Sequence, residues 1–307
     1  MTVFPSGASF CVSLTLDVEM CTNFPYWTSV WDHRKGALDE GTKRHVERLS
    51  TTAHELQIPL QYFIVGSALE DPDLDYMRRA RDLGHAIGNH TYTHVSVKAK
   101  TVPSLQVVYR NEPWRAYGRE PLRIIQDEVH QTTLAIRERL AMEPVGFRTP
   151  GGFNTALHDV PEVQRALLEE GFSWASSHYA LAVGPEKRPP RDAIAAAVRA
   201  SVDDLQPYRY PSGLTEVPMM GMSDIWAFRV LDLDRADWLF ACQVAIERAE
   251  EIGGVCSILS HPAVLASRDP FCDTVKLVAA ARDRGAWAAD NGQIARHLGV
   301  LPERSVA

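Results

Sequence analysis

Cysteine is scarce in this chain: five residues in 307, an odd number with no Cys-x-x-Cys spacing. That excludes a disulfide-stapled scaffold and a thiolate zinc cluster, and leaves Cys11, Cys21, Cys242, Cys256 and Cys272 as reduced thiols. Long apolar runs are missing as well. None approaches the roughly 20 residues needed to cross a bilayer, so no membrane partner is expected. An excess of positive charge is also absent: 32 Lys and Arg stand against 39 Asp and Glu, a net charge of -7. Neither a nucleic-acid surface nor an anionic-membrane surface fits that balance. The opening residues, Met-Thr-Val-Phe-Pro-Ser-Gly, have no basic region followed by an apolar stretch, which sets the expectation of a cytoplasmic protein. Low-complexity segments and short-period repeats are lacking too, so neither a linker nor a solenoid is indicated.

What remains is an ordinary globular composition, 45% hydrophobic and 23% charged, in a chain long enough for one large domain or two small ones. Its rhythm is strand, loop, helix, repeated about seven times. Phe10 to Leu16 is an apolar strand running into Asp17 and Glu19. Helical spacing follows from about Asp39 to Leu56, then a strand from Pro59 to Val65 and a helix opened by Asp71-Pro72 and ending near Leu83. His85 to Gly88 is a short strand. Residues 98–119 are polar, aromatic and broken by proline, an insertion. A helix is predicted from Pro121 to Ala141, a strand into Arg148, a helix from His158 to Glu170 and a strand from Phe172 to Ser176. Ala193 to Ala200 reads as a short helix, Asp234 to Ile252 as a long one, Val255 to Leu259 as a strand and Phe271 to Arg284 as a helix. Such alternation predicts parallel strands joined by crossover helices.

The chemistry-bearing residues cluster at strand ends. His90 and His94 are four apart just after an apolar run, and both can face one point if the chain curls through a single turn. A carboxylate from another strand end would complete a three-ligand metal site with room for water. Asp17 and Glu19 supply candidates, since side chains two apart in a strand point the same way. Arg148 and His261 also follow strands, at the face where parallel α/β folds build sites. Each has a bland alternative: a surface or core histidine, a strand-end cap, an arginine paired on the surface. Their convergence on one face is the informative feature.

The ordered motifs Leu-Thr-Leu-Asp-Val-Glu (14 to 19), His-Thr-Tyr-Thr-His (90 to 94), Phe-Arg-Thr-Pro-Gly-Gly (147 to 152), Glu-Val-Pro (216 to 218) with Asp224, and Leu-Ser-His-Pro (259 to 262) resemble the polysaccharide deacetylase, or NodB-homology, family. The resemblance spans about residues 10 to 300. It implies one catalytic domain, a distorted (β/α) barrel with about seven parallel strands, holding one divalent metal, zinc foremost, with cobalt, nickel or manganese as alternatives. It implies His90, His94 and an acid as metal ligands, Asp17 as catalytic base, Arg148 as the cation that aims that base, His261 as general acid and Asp224 as the residue that orients it. The family's second acidic position is commonly aspartate and here is Glu19. Either Glu19 binds the metal, the favoured reading, or it points away and Asp17 becomes the ligand.

Within that resemblance the expected activity is hydrolysis of a non-peptide C–N bond. One substrate class is a small cyclic amide, imide or ureide, as in the allantoinase-like and cyclic-imide-hydrolase-like cytoplasmic branch, where homo-oligomers such as tetramers occur. The other is an N-acetylated sugar or glycan, and a reading of another class is a silent binding domain on the same fold. Trp27, Trp31, His33 and Trp226 are candidates for lining the substrate mouth, because long loops carry function and indoles stack on flat rings. His130, His158 and His178 read as structural or surface residues.

Overall fold

A computed structural model describes residues 4–22 and 34–300. The organising element is β1 (Phe10–Val18), nine residues all buried. Its sequence is almost continuously apolar, as a parallel strand covered on both faces requires. One edge of β1 pairs with β8 (Val255–Ser260). The other pairs first with β9 (Ala286–Ala288) and then with β2 (Leu60–Ile64). From β2 the sheet continues through β3 (Ala86–Asn89), β4 (Phe147–Phe153), β5 (Trp174–His178), β7 (Thr215–Glu216) and β6 (Tyr208–Arg209).

Every pairing is parallel except that of β6 with β7. The sheet curls until its ends meet. Met220 N–H donates to the carbonyl of Ser257 at 2.7 Å, and the Gln206 amide bridges both the N–H and the C=O of Val255 at 2.8 and 3.1 Å. The expected α/β barrel is therefore present, as a curled sheet with nine strands among the described residues instead of about seven. The additional strands β6 and β9 are two and three residues long, too short for any periodicity to show.

Helices cover the outside. α1 (Glu40–Glu55) is capped by Asp39, whose carboxylate accepts from Thr42 N–H, and it buries Val46, Leu49 and Ala53. α2 (Asp75–Asp82) starts later than Asp71-Pro72 suggests. There Asp71 and Asp73 accept from the N–H two residues on, at 2.9 and 3.1 Å, and these Asx turns displace the first helical turn. α3 (Pro121–Leu140) follows the insertion. α4 (Pro161–Glu169) begins at its proline and not at His158, whose N–H closes a turn on Thr155. α5 (Arg191–Asp204) runs further in both directions than the Ala193 to Ala200 expectation, and α6 (Arg235–Ile252) ends at Gly253 with φ 62°. α7 (Pro262–Arg268) was not expected. α8 (Asp273–Asp283) and α9 (Asn291–Val300) complete the chain described.

The insertion of residues 98–119 folds into short helical turns, Val102–Leu105, Val107–Asn111 and Pro113–Ala116. They bury Leu105, Tyr109 and Ala116 against Ile124, Ile125 and Val129 of α3. Among the described residues no helix is long and apolar enough to cross a membrane.

Candidate active site

Strand β3 ends at Asn89, and the next five residues form a tight turn bolted to its surroundings. His90 N–H bonds to Ile64 O, while the carbonyls of Thr91 and Tyr92 accept from Gly66 and Ser67 N–H. Thr91 and His94 both have left-handed backbones, φ 59° and 64°. For a β-branched residue such as Thr91 that conformation is strained and persists only when the surroundings impose it. Asn89 does so by accepting Thr91 N–H at 2.9 Å, and its own amide is fixed by Val129 O and Thr133 Oγ1 at 2.7 and 3.1 Å. Thr91 Oγ1 accepts from Val95 N–H. Buried Glu128 of α3 holds the next residue, accepting from Thr93 N–H and Oγ1 at 2.6 and 2.8 Å, and from Tyr109 Oη at 3.0 Å. The turn brings the two imidazoles face to edge, ring centres 5.1 Å apart.

Both imidazoles meet Glu19, just past β1. Its Oε2 lies 3.2 Å from His90 Nε2 and 2.6 Å from His94 Nε2. One ligand atom from each of Glu19, His90 and His94 lies within 4.8 Å of the others. His90 Nδ1 sits 3.0 Å from the carbonyl of Arg148, which makes it the protonated nitrogen and leaves the Nε2 lone pair facing Glu19. Two imidazole nitrogens and a carboxylate oxygen suit zinc, cobalt, nickel or manganese, so the donor set fits a divalent metal. Burial opposes ionisation of Glu19, but the surrounding His94, Lys35 and His90 overcome it and hold the carboxyl well below its ordinary value. Burial lowers His94 to about 4, against the pull of Glu19.

Asp17, at the end of β1, faces the same point, its Oδ2 3.8 Å from His90 Nε2. Its other oxygen accepts from Arg148 Nη1 at 3.1 Å. Arg148 is fully buried. Its second amino group donates to Ser176 Oγ at 3.1 Å, and its guanidinium lies 4.4 Å from the Phe63 ring centre. Burial pulls its pKa down while Asp17 and Glu216 support its charge. Across the site, Asp224 accepts from both His261 Nδ1 and His261 N–H at 2.7 Å, leaving Nε2 turned inward, 3.7 Å from Glu19 Oε1. Burial opposes protonation of His261, but Asp224, with help from Glu19 and Asp17, raises its pKa above the ordinary value.

The structure thus brings Asp17, Glu19, His90, His94, Arg148, Asp224 and His261 together. Trp226 lies two residues from Asp224, half-buried, with its indole N–H donated to Val183 O at 2.9 Å. Trp27, Trp31 and His33 lie outside the described residues. Sequence reading missed four supporting residues. Lys35 pairs with Glu19. Asn89 and Glu128 brace the histidine turn. Glu216 accepts from Ser177, His178 and Tyr210. Only Glu216 carried a signal, lying in the Glu-Val-Pro motif; the others show themselves only through contacts distant in sequence.

The polysaccharide deacetylase family model matches residues 37–167, a span containing His90, His94 and Arg148 but stopping short of the other site residues. No protein of curated function matches the sequence significantly. Among solved structures, a Mycobacterium smegmatis protein assigned as a polysaccharide deacetylase is similar at 20% identity and a TM-score of 0.67, over 99% of this chain and 96% of that one. The Puue allantoinase is similar at 16% identity and a TM-score of 0.63, over 98% of this chain and 94% of that one. Residues 37–167 therefore carry the polysaccharide deacetylase match, and the chain shares the fold of these two solved structures.

Proposed function

We propose that the chain is a metal-dependent hydrolase that cleaves the amide-type bond of a small substrate, a cyclic amide, imide or ureide. The observation that carries this reading is the meeting of three separate groups at one point: Glu19 with the two histidines, Asp17 with Arg148, and Asp224 with His261. A bound divalent metal, held by Glu19, His90 and His94, would lower the pKa of a water and polarise a carbonyl. Asp17, aimed by its hydrogen bond from Arg148, takes the proton from the attacking water. His261, carrying a proton that Asp224 stabilises, gives it to the departing nitrogen, so the C–N bond breaks with a neutral amine leaving. A pure binding domain has no use for a base and an acid each fitted with its own orienting partner.

Burial of the reacting groups favours a small substrate: Asp17, Glu19, His90 and His261 are each 1–6% exposed. The second reading, an N-acetyl-sugar or glycan deacetylase, is favoured by the family match itself. Cytoplasmic location and homo-oligomeric assembly belong to the small-substrate reading. The test is metal analysis of the purified protein, then turnover assays on hydantoins, succinimides and allantoin against acetylated sugars. Turnover of chitooligosaccharide alone would sink the small-substrate reading, and activity indifferent to chelation would sink the metal.

A further inference from the structure

Glu19 has two oxygens with different company. Oε2 faces the imidazoles of His90 and His94, whereas Oε1 accepts from the ammonium of Lys35. Both side chains of this ion pair are 4% exposed. Nor is Lys35 a stray side chain reaching in. Its carbonyl accepts from Ser67 Oγ at 3.2 Å, and the N–H of Gly36 donates to the Glu19 carbonyl at 2.8 Å, tying the two backbones together. Gly36 has φ +89° and lies so close to Ser67 that a Cβ would fall 2.0 Å from its hydroxyl. A left-handed glycine is what allows the chain to press against Ser67 here. Since the backbone anchor fixes where Lys35 starts, its ammonium stays beside the carboxylate.

A buried carboxylate without a counter-ion is costly, and an ammonium close to a divalent cation repels it. Given the metal-binding reading of Glu19, His90 and His94, on which this step rests, we propose that Lys35 is the built-in counter-ion of the metal site. Its charge neutralises Glu19 when no metal is bound, so the site stays assembled without one, and the same charge weakens the hold on a divalent cation. Metal occupancy thereby becomes reversible instead of a condition of folding.

The test uses the full-length protein, stripped with chelator, titrated with Zn²⁺ or Co²⁺ by calorimetry and melted with and without the ion. Lys35→Met keeps the aliphatic stem and removes the charge. It should bind the ion about tenfold more tightly or better. It should also melt lower than wild type in chelator, and metal should close that gap. Lys35→Arg should behave like wild type in both respects. If Lys35→Met does not fold, Lys35→Gln carries the same expectations. Affinity equal to or below wild type in the neutral variants, or an unchanged metal-free melting temperature, overturns the proposal. Where wild type binds the ion and the neutral variants bind it worse, Lys35 alone is misread; where none of these proteins binds it, the metal reading falls too.

Discussion

His90 Nδ1 lies 3.0 Å from the carbonyl oxygen of Arg148, so the peptide carrying the arginine that aims Asp17 also fixes the tautomer of a metal-ligand candidate. Strand β4 thus serves the proposed base and the candidate metal site at once. A disturbance of its backbone would be felt by both.

His90→Ala should therefore abolish stoichiometric metal binding. The loss should exceed the roughly 10–100-fold cost of deleting an outer partner of a ligand. Metal content of the purified variant, and calorimetric titration of the stripped protein, are the measurements. Retention of wild-type affinity would show that the ion sits elsewhere.

Asp17→Asn keeps the shape and the contact with Arg148 but removes the proton acceptor. Turnover should fall by about 10²–10⁴, with metal content unchanged. Loss of metal together with activity would make Asp17 the ligand, the alternative left open by Glu19 standing where the family commonly has aspartate.

Much of this arrangement was legible before any coordinates. The apolar run of β1 and the period of two placed Asp17 and Glu19 at one strand end, and the strand-turn reading put His90 and His94 beside them. That parallel strands share one functional face did the rest. Contacts closing over long separations were not legible. Nothing near Lys35 in sequence says that it meets Glu19, and nothing in α3 marks Glu128, Val129 or Thr133 as the brace of a turn 35 to 44 residues earlier. The barrel's closure by Met220 on Ser257 and by Gln206 on Val255 depends on a few hydrogen bonds from residues outside the strands, which have no periodic signature.

Asp224 supplies a prediction about pH. It raises His261 above its ordinary value of 6.5, against burial. A general acid works only while protonated, so kcat/KM should be sustained below that raised pKa and fall as pH rises through it. Asp224→Asn keeps an acceptor for the His261 N–H but removes the charge, so the falling limb should move to lower pH. The pH profile of kcat/KM measures this in the free enzyme. A limb that stays in place in Asp224→Asn would remove His261 from the role of acid.

Glu128 links the insertion to the histidine turn, and removing that link should be felt in both stability and metal binding. Its carboxylate receives Thr93 N–H, Thr93 Oγ1 and Tyr109 Oη in a buried setting. Tyr109→Phe deletes one donor and leaves the carboxylate two others, so the loss should be about 0.5–1.5 kcal/mol. Glu128→Leu instead strands one N–H and two hydroxyls, each costing about 1–3 kcal/mol where it stays buried and unpaired. It also frees the backbone next to His94, whose left-handed conformation depends on outside restraint. Denaturant unfolding should therefore rank wild type above Tyr109→Phe and Tyr109→Phe above Glu128→Leu, while metal affinity drops only in Glu128→Leu. If Glu128→Leu unfolds early yet binds metal as wild type does, the turn holds its shape without the brace, and Glu128 serves the core and not the site.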